Sequence, residues 1–476
     1  MNLHPRKLVA TAAVGIVALA FMAQYGGSGD PWWEAGSGRA MPMFSTFPDS
    51  TGDITVVNMD GPISTRNHPF FDDRGINGRA CITCHQPSNA MGLSTDRIKQ
   101  QYDDSRGKDP VFAAIDGSNC PALPQNDVAS HSLLIQRGLF RIPLAVPAHA
   151  DFKIEVVRDP TTCNTSPTYG LSAKTPTISV FRRPRVVGNL RYALGTDGAF
   201  HLNAAANATL AADGRDRTLA QQAAEAMHAH EQAGRALTKD ELQQILDFES
   251  QIFVAQTADA KGGDLTEVDG PLGAWALGFD KNLKNDPAQP IFLEASYWSN
   301  ATHGNAGHTA QTDFRESVAR GNAIFMNRNF HIREVAGMPG GPSSGTCATC
   351  HTAPLAGTNL TSPAMDTGTT AYATPAEAMS YLPLFKVTCN ANAVPHPYLG
   401  RVIYTTDPGL ALTTGKCADV GSIVIQQLRG LSARAPYFSN GQSKTLAEVV
   451  DFYDKRFDIQ LTEQEKKDLI NFLSVL

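Results

Sequence analysis

Two five-residue runs carry the chemistry most directly legible in this sequence: Cys81-Ile-Thr-Cys84-His85 and Cys347-Ala-Thr-Cys350-His351. Two thiols three positions apart reach the two vinyl groups of one haem and form thioethers, and the adjoining histidine is then held beneath the iron. Two other chemistries use paired cysteines. A thioredoxin-like redox pair belongs in a βαβ setting, and a zinc site needs two further Cys or His ligands at regular spacing. Neither context accompanies either motif. The spacing therefore predicts two covalently bound haem c groups. One is attached at Cys81 and Cys84 with His85 as proximal ligand, the other at Cys347 and Cys350 with His351.

Four cysteines remain: Cys120 and Cys163 between the motifs, Cys389 and Cys417 after the second. An even remainder in an oxidising compartment points to disulfides. The economical pairing is Cys120–Cys163 and Cys389–Cys417, one in each half. The compartment is read from the N-terminus, where Arg6 and Lys7 precede an apolar stretch from Leu8 to Ala23. A basic start followed by a short apolar run is the pattern of a secretory signal, and the run is short for a membrane span of about 20 residues. Ala18 and Ala20 offer one A-x-A-like cleavage site; the other reading of residues 1–24 is an uncleaved anchor, the one case with a membrane contact. The chain is thus expected in the periplasm. A formal charge of −6, 18 % charged and 42 % apolar residues describe a globular chain. They give no support to a nucleic-acid partner or a charged docking tail.

At 476 residues the chain is long enough for two domains. Residues 25–60 are rich in Gly, Pro and Ser and read as a linker or surface arm. A first haem domain is expected over 61–270 and a second over 300–476, with a loop-like region at 258–312. The first domain closes on a predicted helix over Leu237–Thr257, opened by a Thr238/Glu241 capping box. Another helix signal follows, with Asp313 and Glu316 as its cap pair. An internal repeat relates the halves: Asp213-Gly-Arg-Asp-Arg-Thr-Leu-Ala parallels Asn440-Gly-Gln-Ser-Lys-Thr-Leu-Ala. Each is followed by a helix with a Thr-x-x-Glu box, at Thr238/Glu241 and Thr462/Glu465. Self-similarity at this scale implies duplication of one haem-binding unit. The fold expected is mainly α, two cytochrome-c-like haem domains with long loops.

The sequence resembles the bacterial di-haem cytochrome c peroxidases and their MauG-like relatives over most of residues 61–476. The patches that carry the likeness are NGRACITCHQP, DGRDRTLAQQA, GTCATCHTAP, TTDPGLALTTGKCADVG and LRGLSARAPYFSNGQSKTLAEVVDFYDKRF. The resemblance implies two cytochrome-c-like domains meeting at an interface. It also implies an open N-terminal haem that reduces hydrogen peroxide, and a C-terminal haem that passes electrons to it from a small redox protein. Peroxide chemistry needs a distal acid/base to move a proton between the two oxygens. The family's distal Gln falls on Gln222. Its distal Glu falls on Gln232, with Glu231 and His230 beside it, so that His230, Glu231 and Gln222 are the candidate catalytic residues; the competing reading of this run is a polar helix end facing solvent. The family also allows a Ca²⁺ between the domains, held by an Asn and backbone carbonyls.

Three departures bear on function. Ala212 stands where many relatives carry a relay tryptophan, Ser439 stands in place of a histidine, and Val420–Gln427 lacks the methionine that caps the second iron. Candidates for that missing ligand are His396, His331, Met338, Met326 and Tyr437, with His396 preferred. The first iron has no evident outer ligand, though His68, His131 and His201 are within the same half. A peroxidase-type enzyme, an electron-transfer cytochrome without catalysis, and a structural or sensing subunit are the three functions left open.

Overall fold

The computed structural model describes residues 30–195, 197–267, 270–271, 273–279, 298, 307–341, 343–352, 356–358 and 364–476. The Leu8–Ala23 segment lies outside these residues, as does much of the 258–312 stretch. Among the described residues no helix is long and apolar enough to cross a membrane.

The longer helices are α1 (Thr95–Ser105), α2 (Leu219–His230), α3 (Lys239–Gln251), α4 (Ala310–Asn327), α5 (Leu446–Phe457) and α6 (Glu463–Ser474). The repeat seen in the sequence is a repeat of helix pairs. Helices α2 and α5 are each opened by a threonine side chain, Thr218 and Thr445, accepting a backbone N–H three residues on. Helices α3 and α6 each open on the predicted capping box, Thr238/Glu241 and Thr462/Glu465. These side chains satisfy backbone donors that a helix start leaves without partners. Helix α4 is capped by Thr309 and Thr312 instead of the Asp313/Glu316 pair.

The expectation of a mainly α fold does not hold. Helix accounts for 32 % of the described residues and strand for 19 %, in several sheets. The missed strands are short runs of β-branched and aromatic residues, which favour a pleated, half-buried surface. Strands β1 (Phe44–Pro48) and β2 (Gly52–Asn58) lie within the stretch read as a linker, 25–60. The Asp49 carboxylate ties their turn, accepting from the Thr51 and Gly52 amides at 2.8 and 2.9 Å. Strands β3 (Phe140–Ala145) and β5 (Thr177–Arg182) form an antiparallel pair. Strand β4 (Phe152–Arg158) alternates buried and outward residues. Helix α3 stops at Gln251, six residues earlier than the periodicity suggested, because Ile252-Phe-Val-Ala continues as β6 (Ile252–Asp259) and pairs with β2.

The two halves of the chain interleave. Strands β7 (Ala371–Tyr372), β8 (Leu384–Cys389) and β9 (Val402–Thr405) come from the second half, and β4 from the first completes their antiparallel sheet in the order β7-β9-β8-β4. Phe152 of β4 faces Cys389 of β8. The disulfides are Cys120–Cys163 and Cys389–Cys417, the pairing expected. One apolar core gathers Phe325, Val450, Phe472 and Leu473 against Cys347 and Cys350; another gathers Phe70, Ile82, Ile245 and Phe248 against Cys81. Helices α4 and α6 touch at Gly321, where any Cβ would run into the Asp468 carbonyl.

Candidate haem sites

Each Cys-x-x-Cys-His run sits on one tight helical turn, Cys81–Thr83 in the first site and Cys347–Cys350 in the second. The His85 amide donates to the Cys81 carbonyl at 3.1 Å and the His351 amide to the Cys347 carbonyl at 3.0 Å. Each imidazole is then fixed in the same way. His85 Nδ1 lies 3.2 Å from the Met91 carbonyl and His351 Nδ1 2.9 Å from the Gly357 carbonyl, six residues on in both cases. A carbonyl only accepts, so Nδ1 carries the proton and Nε2 keeps its lone pair for a metal, the usual outer support of a ligating histidine. Burial lowers the pKa of both rings, His85 to about 4. Both are therefore neutral at pH 7. Phe70 flanks His85 at 6.4 Å and Phe325 flanks His351 at 6.5 Å, at nearly the same tilt.

The thiols fit covalent attachment better than redox or zinc chemistry. Cys81, Cys84, Cys347 and Cys350 are unpaired while the other four cysteines form disulfides. Burial pushes the thiols of Cys84 and Cys347 up to about 12, the reverse of the depressed pKa that activates a redox dithiol. Among the described residues the one close grouping of three metal-type side chains is the largely exposed His308, Asp313 and Glu316, which includes neither motif. Each motif opens onto a large cavity, with about 1290 Å³ of empty space at the first and 1710 Å³ at the second, solvent at the mouths included. Cavity, thiols and oriented imidazole together fit haem c.

Three sequence candidates reach the first cavity. Gln222 lines it from α2, and His230 and Glu231 from the end of that helix. Glu231 is 3 % exposed. Gly75 packs so closely on its backbone that a Cβ there would strike the Glu231 carbonyl. Burial pushes the Glu231 carboxyl up to about 8, against the opposing Arg74 amide at 3.3 Å. Its Oε1 stands 3.8 Å from the Cys81 sulfur. His230 Nδ1 lies 2.6 Å from an oxygen of the buried Asp116, whose other oxygen pairs with Arg79. Burial works to raise Asp116, but the Arg79 charge and the His230 hydrogen bond hold it below its ordinary value. Ala212 lines the same cavity. His68, His131 and His201 are not in its wall.

His396, the preferred outer ligand of the second iron, stands apart from the second cavity. That ring is buried in a turn, its Nδ1 accepting from the Leu399 amide at 3.0 Å, and its Nε2 faces Asp366 at 3.3 Å without hydrogen-bond alignment. It is not among the residues lining the cavity, and neither are His331, Met326 and Met338. Tyr437 and Ser439 do line it, with the Tyr437 hydroxyl donating to the Leu431 carbonyl at 3.1 Å. His396 is conformationally committed to its own turn, which spacing along the chain does not reveal.

Two acids escaped the sequence reading. Glu249, on α3, is 4 % exposed in the first cavity, with Oε2 lacking a hydrogen-bond partner among the described residues, and burial pushes it up to about 8. The repeat held the signal: aligning the capped helices places Glu249 opposite Leu473, which lines the second cavity. Asp116 gave no such signal, because it meets His230 only through tertiary packing.

The motifs and cavities fit a haem c protein. No family model matches the chain. Cytochrome-c peroxidase IdrP1 of Pseudomonas sp. (strain SCT) is 38 % identical over 81 residues, 15 % of this chain and 21 % of that protein. Its counterpart from Denitromonas iodatirespirans is 37 % identical over 81 residues, 15 % of this chain and 22 % of that protein. The chain thus spans about a fifth of the length of these curated relatives. A solved MauG-like protein associated with microbial copper homeostasis aligns over 79 % of this chain and 88 % of its own, at 17 % identity and a TM-score of 0.31, too loose a match to define the fold. The chain resembles the di-haem cytochrome c peroxidase and MauG-like family.

Proposed function

We propose that this chain is an exported di-haem c-type peroxidase, reducing hydrogen peroxide in the cavity of Cys81, Cys84 and His85. A haem held by Cys347, Cys350 and His351 would pass electrons to it from a small redox protein. Peroxide reduction consumes two electrons and two protons and releases two waters. A haem bound at Cys81, Cys84 and His85 would supply the electron transfer that breaks the O–O bond. The protein supplies the proton and the orientation. Glu231, buried and neutral at pH 7, holds a proton at its carboxyl. The Gln222 amide presents a donor from α2, and His230, fixed at Nδ1 by Asp116, presents Nε2. The observation that carries this reading is the buried Glu231 carboxyl in the wall of the first cavity, 3.8 Å from the Cys81 sulfur.

One observation favours a second reading, a non-catalytic electron-transfer cytochrome. A histidine whose Nδ1 is held by a buried carboxylate is also built as a metal ligand, and His230 would then close the outer face of the first iron. The spin state of the oxidised protein decides. A high-spin first haem and peroxide-dependent oxidation of a reduced cytochrome or dye support the enzyme. Two low-spin haems without that activity refute it, and a first haem turned high-spin by His230→Ala assigns His230 as the ligand.

A further inference from the structure

The segment that leaves β5 reads Arg182-Arg183-Pro184-Arg185, and it forms part of the wall between the two cavities. Arg183 and Pro184 line both, Arg185 lines the first, and Arg434 lines the second. Arg182 is an ordinary buried ion-paired residue, held by Asp213 at 2.7 Å and by Asp407 at 2.6 Å. The other three differ. Arg183 donates to the carbonyls of Arg137 at 3.1 Å, Arg434 at 2.9 Å and Leu93. Arg185 donates to those of Val424 and Ile425 at 3.0 and 2.9 Å, and Arg434 to that of Gln427. None has a carboxylate at ion-pair distance among the described residues, and the buried Nε of Arg434 has no partner there.

Removing a charge from water without a counter-charge costs several kcal/mol. Carbonyl dipoles offset part of that cost and supply no negative charge. Burial and the neighbouring Arg434 push Arg183 down to about 9, and burial pushes Arg434 down to about 10. Among the described residues no Asp or Glu lines the second cavity. In the first, Glu231 and Glu249 line the wall, and burial raises both rather than leaving them as counter-ions. The wall therefore presents three guanidiniums that lack an anion. A haem attached through its vinyl groups retains two propionate carboxylates, the kind of planar anion that a guanidinium fork recognises.

We propose that Arg183, Arg185 and Arg434 form a carboxylate-binding wall for the haem propionates, with Arg183 shared between the two haems. Arg185 serves the first haem and Arg434 the second. The same wall joins the cavities through backbone: Val424 donates its amide to the Ala212 carbonyl at 2.9 Å while Arg185 binds the Val424 carbonyl. Arg183 thereby sets the reduction potentials of both irons, because one cation near each favours the reduced form.

This inference rests on haem occupying both cavities. The test is a spectroelectrochemical titration of the mature holoprotein, with haem content measured on the same samples. In Arg183→Gln both haems become harder to reduce, each by about tenfold in the reduction equilibrium, ~59 mV for a one-electron couple. Arg183→Lys, which keeps the charge, restores most of that shift. Arg434→Gln moves only the second haem and Arg185→Gln only the first, so these two decide the matter if Arg183→Gln does not fold. Two haems per chain with potentials unmoved by the Gln variants overturn the wall. Native potentials that shift saturably with added acetate assign the guanidiniums to a free anion, and overturn it too. Fewer than two haems per chain refutes the parent reading instead.

Discussion

Replacing Glu231 with glutamine tests the first site on two independent axes. Gln keeps the volume and an N–H donor, but it neither ionises nor gives up a proton. In the native protein burial moves the carboxyl from 4.5 to about 8. A carboxyl held neutral in this way binds its proton more tightly folded than unfolded, so stability is unaffected below pH 4.5 and falls as pH rises from there through about 8. At about 1.4 kcal/mol per pH unit across that window, the loss is on the order of 5 kcal/mol at its top. Glu231→Gln therefore matches the native protein in a urea melt at pH 4 and exceeds it by several kcal/mol at pH 9. The catalytic axis runs the opposite way. The peroxide step of the variant slows by about 10²–10⁴, the range for a lost general acid or base. The native rate falls as pH climbs through about 8, whereas the variant's is flat. A stability difference that does not change with pH would refute the buried neutral carboxyl. An unchanged peroxide rate would remove Glu231 from the proton path.

Two further outcomes follow from the same geometry. Glu249→Leu, which copies the Leu473 of the second half, raises stability by about 3 kcal/mol at pH 7 and flattens its pH dependence; a loss of stability in urea melts would mean that the carboxyl has a partner in the holoprotein. Removing the Cys389–Cys417 bridge with Cys389→Ser and Cys417→Ser, which opens a loop of sequence separation 28, costs about 3–4 kcal/mol. Haem content stays at the native level in that variant, and a drop would tie this bridge to haem attachment.

The sequence alone determined what could be attached and where. Thiol spacing and the adjoining histidine are local chemistry, so Cys81–His85 and Cys347–His351 are legible without a fold. The capping boxes at Thr238 and Thr462 are legible for the same reason, because a cap joins residues three apart. The disulfide partners followed from economy within each half. The sheets were not legible: β1 and β2 lie in a Gly- and Pro-rich stretch, and β4 finds its partner β8 more than two hundred residues away. Strand pairing at that distance is decided by packing, as is the end of α3 where Ile252 enters a sheet. Tertiary structure also sorted the polar candidates. It brought Glu231 and His230 to the first cavity and supplied Asp116 and Glu249. It turned His396 away into its own turn, and aligned Arg183, Arg185 and Arg434 on one wall. A ligand's identity is written in residue type and spacing, while its charge state and its companions are set by burial, which exists only once the chain has folded.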